Sequence, residues 1–297
     1  MQPSTYGPFP YRPITTRQHF SWPGGRRLAL WVIPNIEFFH LKDVMPGVAN
    51  ERIAPAHAKI PNVRNWAVRD YGNRVGVWRF FEMFKRHGLR GTVSLNSDIC
   101  IHHPQIIERA LEDNWEFMGH CQTNAVRLNE MNPDEERQAI HETLEVIARA
   151  TGKRPPGWLG AGLSETWNTL DFLVEEGLQY VADWACDDLP FRMNIHGKTL
   201  MSVPYTLHVN DTTQFFNQKA TAAEFEQIIK GQFDCLYKES ERAPRVMAIA
   251  LHPFVSGVPE WSLCVDRALE YVTRHEGVWL ATGSEIASHF AQQVADE

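Results

Sequence analysis

The alternation of short apolar runs with longer amphipathic stretches constrains this 297-residue chain more than any other feature. Strand-like runs fall at residues 28–33, 91–95, 115–118, 155–159, 179–182, 199–203, 245–251 and 278–281. Each is short and bounded by turn residues, as buried strands are. Helical spacing lies between them. Val77, Phe80, Phe81 and Phe84 share one face, as do Ile106, Ile107, Ala110 and Leu111, and then Ile140, Leu144 and Ile147. Asn132-Pro133-Asp134-Glu135 and Thr221 with Glu224 read as capping boxes, each opening a helix. Helices are also expected over 164–176, with Ser164 as N-cap, over 261–275 and over 284–294. Strands separated by helices build βαβ units and a parallel sheet. No linker, repeat or composition shift divides the chain. The expectation is an irregular arm over 1–25, rich in Pro, Thr, Tyr and Gly, followed by a single α/β barrel over 26–297.

Composition narrows the function. The net charge of −7 argues against nucleic acid or an anionic membrane as main partner, because phosphate binding needs a basic face. Five cysteines without C-x-x-C spacing suggest neither a disulfide framework nor a zinc ribbon, and suit a reducing cytosol. The start, MQPSTYGPFPYRP, has no apolar core of a secretory signal, and the longest apolar run is too short to span a bilayer. A cytoplasmic protein acting on a small-molecule substrate is expected.

In a barrel of this kind the chemistry sits where strands end. Asn35 and Glu37 follow the first run, Asn96-Ser97-Asp98 the second, and His120-Cys121 with Asn124 the third. Asp183-Trp184 and Asp187-Asp188 follow the fifth, and His252-Pro253 the run at 245–251. Glu37, Asp187 and Asp188 are candidate bases; His120 and His252 are candidate acids or donors. The alternatives are helix caps, a turn ahead of Pro190 for Asp187-Asp188, and a solvated loop charge for Glu37. Trp158 and Trp184 line a pocket for a flat ring or else pack. Cys121 reads as an inert buried thiol, because adjacent residues of an extended segment point apart and His120 does not activate it. His102-His103 are not spaced as helical metal ligands. The long irregular stretch between Glu37 and Asn65 reads as a lid or a packed cover.

Several segments resemble the polysaccharide deacetylase superfamily, in particular its branch of cytosolic allantoinase-type and cyclic imide hydrolases. They are 70–79 (DYGNRVGVWR), Gly119-His120, Gly157-Trp158, 187–191 (DDLPF), Val203-Pro204-Tyr205, Asn210-Asp211, and Leu251-His252-Pro253 with Ser256-Gly257. The resemblance runs from about Arg26 to Phe290, and the stretch from Tyr71 to Arg79 is specific to that branch. It implies a distorted (β/α)7 barrel, hydrolysis of a non-peptide C–N bond, and a homo-oligomer. Metal-dependent members hold a divalent ion on one carboxylate and two histidines spaced i, i+4. Here Glu37 and His120 match the first two positions, Asn35 lies near the place of the base, and Asn124 stands where the second histidine would be. The arginine of the loop after the fourth strand is absent from Trp158-Leu159-Gly160-Ala161.

A zinc ion, if bound, would rest on Glu37, His120 and Asn124, a weak set; metal-free chemistry is favoured. The reading is therefore a hydrolase of a small cyclic amide, imide or ureide. Glu37, His120, His252 and Asp187 are its catalytic candidates, and Asn35, Asn124, Trp158 and Trp184 contact substrate. A metal-dependent N-deacetylase of an N-acetyl sugar and a non-catalytic binding protein on the same barrel are the alternatives.

Overall fold

The computed structural model describes residues 4–43, 45 and 61–294. Strand β1 (Leu28–Ile36) is buried along its whole length, which is why its sequence runs apolar without alternation. A helical stretch follows: α1 (Val63–Tyr71), a wide π-helical turn over Gly72–Gly76, and α2 (Val77–Arg86). Next come β2 (Thr92–Leu95), α3 (Asp98–His102), α4 (Pro104–Glu112), β3 (Glu116–Gly119) and α5 (Pro133–Thr151). The chain continues through β4 (Gly157–Trp158), α6 (Thr169–Glu175), β5 (Tyr180–Val181), β6 (Phe191–Ile195) and β7 (Lys198–Ser202). It closes with α7 (Ala222–Glu239), β8 (Arg245–Leu251), α8 (Pro259–Thr273), β9 (Val278–Leu280) and α9 (Gly283–Gln293).

The strands form one curved sheet in the order β6-β7-β5-β4-β3-β2-β1-β8, with β9 pairing the first residues of β1. All pairs are parallel except the β6–β7 hairpin. Helices cover it, as the barrel expectation requires. The sheet does not close through a strand ladder. The seam between the edge strands β6 and β8 is bridged by residues 203–211, where the Ala250 N–H donates to the Val209 carbonyl at 2.9 Å. Residues 6–17 of the N-terminal arm lie over this seam, enclosing a cavity of about 600 Å³ with Tyr205, Asp187 and Phe290 in its walls.

Both expected capping boxes form, opening α5 and α7. Three local expectations change. Residues 191–195 form the antiparallel strand β6, turned by His196-Gly197 with positive φ at both positions, the geometry of a tight hairpin. Helix α6 begins at Thr169, not 164. Thr166 and Thr169 hydroxyls bind the buried Glu136 carboxylate, so Ser164 is left in the preceding loop. Helix α1 was unexpected because it buries Asn65 and Arg69 rather than an apolar stripe. The expected lid between Glu37 and Asn65 falls largely on residues outside those described.

Candidate active site

Strand register brings the key residues to one level. Ile36 pairs Leu95, Leu95 pairs Gly119, and Pro34 pairs Leu251. Glu37, His120 and His252 therefore leave the ends of β1, β3 and β8 side by side. His252 Nε2 lies 3.4 Å from Glu37 Oε1, and His120 Nε2 lies 4.0 Å from the same oxygen. The three side chains are each at most 7% exposed.

Asp211 completes the cluster from the seam-crossing segment. Its Oδ1 faces His252 Nδ1 at 2.7 Å, and its Oδ2 accepts the His252 backbone N–H at 2.7 Å and that of Ser256 at 3.3 Å. His252 thus sits between two carboxylates. Burial alone would favour its neutral form, but Asp211 and Glu37 overcome that and its pKa is pushed up to about 10. Burial also works against ionised Glu37. The His252 contact, aided by His120 and Arg69, outweighs it and holds Glu37 below its ordinary value. His120 goes the other way, lowered chiefly by burial. Its Nδ1 faces the Leu159 carbonyl at 2.6 Å, so Nδ1 carries the proton and the Nε2 lone pair faces Glu37. At neutral pH the cluster is carboxylate, imidazolium and neutral imidazole.

The segment 70–79 supports the two loops that carry this cluster. A Cβ at Gly76 would overlap the Pro253 carbonyl oxygen, and one at Gly257 would overlap both that oxygen and Gly76. The π-helical turn therefore packs backbone to backbone against residues 253–257, an approach open only to glycine. The same turn lets Asn73 Nδ2 donate to the Glu37 carbonyl at 2.9 Å. Arg79 donates to the Gly257 carbonyl at 2.6 Å and to the Tyr71 hydroxyl at 2.7 Å.

The remaining candidates lie elsewhere. Asn35 donates to the Ile33 and Leu251 carbonyls and accepts from the Tyr205 hydroxyl at 3.2 Å; it belongs to the wall between the cluster and the seam cavity. Asp187 is ion-paired with Arg17 in that cavity and accepts the Leu189 N–H, so its charge is spent on anchoring the arm. Asp188 lies in the same cavity wall. Trp158 is fully buried with its ring over Gly119 and Leu144, in the core rather than at a pocket. Trp184 donates to Glu165 at 3.1 Å and meets Phe9 edge-on. Asn124 donates its backbone N–H to the Phe38 carbonyl, and its side-chain Oδ1 is buried without a partner. Cys121 is buried, and burial pushes its thiol up to about 12, which fits an inert group. Residue-by-residue reading missed a role for Asp211, Asn73 and Arg69. Asn210-Asp211 and Asn73 lie in the segments that carried the family resemblance, the one signal that points to them.

The donor set does not suit a zinc ion. Glu37 and the His120 lone pair are two donors. His252 turns its Nδ1 to Asp211 at 2.7 Å and its Nε2 to Glu37 at 3.4 Å, so both its ring nitrogens already face carboxylates. Asn124 offers only a neutral amide oxygen.

Residues 68–181 match the family model for polysaccharide deacetylase. A Schizosaccharomyces pombe protein that carries the polysaccharide deacetylase name is 28% identical over 235 residues, 73% of each chain. The crystal structure of a Pseudomonas aeruginosa protein, described as a probable polysaccharide deacetylase, is 28% identical. It superposes with a TM-score of 0.85 over 93% of this chain and 95% of its own. The crystal structure of an allantoinase is 27% identical, with a TM-score of 0.81 over 94% and 95%. Within the described residues no helix is long and apolar enough to cross a membrane. With this fold, and with a charged cluster of general acid–base type at its strand ends, the chain is similar to the polysaccharide deacetylases over most of its length, and the enzyme class this supports is a hydrolase of carbon–nitrogen bonds.

Proposed function

We propose that the chain opens a small cyclic amide, imide or ureide by adding water across a ring C–N bond. The observation that carries this reading is the buried Glu37 carboxylate set 3.4 Å from His252, itself held by Asp211, and 4.0 Å from His120; in the family resemblance Asn124 stands in place of the second metal-ligating histidine. The likeness to an allantoinase over nearly the whole chain supports it.

A water bridging Glu37 Oε1 and His120 Nε2 meets two acceptors, so both its protons are held and a lone pair is aimed outward. Attack on the ring carbonyl forms the C–O bond while the water's proton passes to Glu37. That transfer removes one of the two negative charges holding the His252 proton. His252 then becomes a stronger acid as the ring nitrogen needs a proton to leave, and it donates from Nε2 while Asp211 keeps hold of Nδ1. The C–N bond breaks, leaving a carboxyl and an amine or ureido group on one product. The free Oδ1 of Asn124 accepts a substrate N–H. Five unpaired thiols suit a cytosolic setting, and a homo-oligomer is proposed with it.

Turnover of allantoin, a hydantoin, succinimide and an N-acetylglucosamine oligomer, each with and without chelator, tests the reading. Chelator-resistant ring opening is expected. Chelator-sensitive acetate release with no ring opening would replace it by a metal-dependent deacetylase.

A further inference from the structure

We propose that His40, Asp98 and His102 form a divalent transition-metal site on the rim of the barrel, separate from the Glu37 cluster. Asp98 and His102 lie four residues apart on α3, so they share one face of that helix. His40 arrives from the segment after β1, and its Nε2 lies 3.0 Å from Asp98 Oδ2. One ligand atom from each of the three residues falls within 4.8 Å of the others. The sequence hides this set because His102-His103 draw attention as neighbours, whereas the partners are four residues back and in another loop.

The surroundings fix the three side chains before any ion arrives. Phe38 stacks flat on the His102 ring, with centroids 4.7 Å apart and planes 9° apart, and it meets His40 nearly edge-on at 5.0 Å. The two segments are tied at their roots. The Phe38 N–H donates to Asn96 Oδ1 at 2.8 Å, and the Asp98 N–H donates to the Gln122 carbonyl at 3.1 Å. A plain ion pair between His40 and Asp98 would not need a third ligand held in reach.

Two imidazoles and one carboxylate suit zinc, cobalt or nickel rather than magnesium or calcium. His40 and Asp98 are partly exposed and His102 is exposed, so water completes the coordination. Such an ion would clamp the segment that leaves Glu37 to α3, at a position where it touches no reacting atom. It would therefore act on stability, and a chelator could lower activity without any metal at the Glu37 cluster. Chelation experiments are best read in a His102→Ala background.

The test is titration of chelator-treated full-length protein with Co(II) and Zn(II), followed by visible absorption, calorimetry and melting temperature. Wild type, Glu37→Gln and His120→Gln are each expected to bind one equivalent and to melt at higher temperature with metal. His102→Ala and Asp98→Asn are expected to lose at least about 100-fold in affinity, as removal of a ligand should exceed the effect of removing a ligand's supporting partner. Absence of binding to wild type overturns the proposal. So does binding that survives His102→Ala and Asp98→Asn but is lost in Glu37→Gln or His120→Gln, which would move the metal to the barrel centre.

Discussion

Two glutamates near the same barrel rim meet environments of opposite sign. Glu37, after β1, faces the His252 cation and is held ionised against its burial. Glu165, in the loop after β4, faces Asp183, and burial together with that like charge pushes its carboxyl well above the ordinary value; Asp183 is raised as well. One glutamate stands ready to accept a proton at neutral pH, while the other already holds one and shares it with its neighbour. An acidic residue in a barrel loop is therefore not a base until its partners are known.

The largest effect is expected from removing the accepting carboxylate. Glu37→Gln should lower kcat by about 10²- to 10⁴-fold, the usual worth of a general base, in steady-state assays on whichever ring substrate is turned over. It should also destabilise the fold at neutral pH. A carboxylate with a depressed native pKa adds stability above its unfolded value of about 4.5, and that stability is lost as pH falls through the lower native value.

Asp211→Asn should act through His252. With one carboxylate gone, the imidazolium pKa falls from about 10, so the alkaline limb of the kcat/KM profile moves to lower pH. A uniform drop in kcat/KM with the limb unmoved would make Asp211 a structural residue only. His252 also contributes stability that is full below its unfolded pKa of about 6.5 and is lost as pH rises through about 10. The variant should flatten that alkaline loss.

Glu165→Gln should have the opposite stability sign to Glu37→Gln. Its carboxyl is neutral when folded and ionised when unfolded, so folding costs more as pH rises above about 4.5. An amide keeps the acceptor for Trp184 and a donor toward Asp183 without that cost. A gain in stability at pH 8 that vanishes near pH 4 is expected in denaturant titrations, with kcat within about twofold of wild type. The smallest effect falls to Asp187→Asn. Losing the Arg17 ion pair should loosen the arm to proteolysis and leave kcat within about twofold, because the Asp187 carboxylate is engaged by Arg17 and the Leu189 N–H.

The same contrast explains what could be read beforehand. Strands β1 and β8 are legible because burial on both faces forces apolar runs, and α5 and α7 because their caps are written in adjacent residues. Helix α1 is not, since it buries Asn65 and Arg69, and the packing of the π-helical turn after it on residues 253–257 through Gly72 and Gly76 is a long-range fit. Glu37, His120 and His252 stand directly at strand ends, where the barrel rule looks. Asp211 ends no strand and reaches His252 only because the chain crosses the seam. Trp158 looked like a pocket residue by position, yet on so short a strand its side turns it into the core over Gly119. Asp187 and Glu37 look alike in one dimension, and only Arg17, 170 residues away, separates them.

The most direct measurement is a pH titration of the histidine ring resonances by NMR on labelled protein, with His252 and His120 assigned through His252→Gln and His120→Gln. His252 should remain an imidazolium to about pH 10 in wild type and lose its proton at lower pH in Glu37→Gln, while His120 should stay neutral with its proton on Nδ1. A His252 already neutral at pH 7, or one whose titration is indifferent to Glu37, would contradict the charge arrangement on which the proposed ring opening rests.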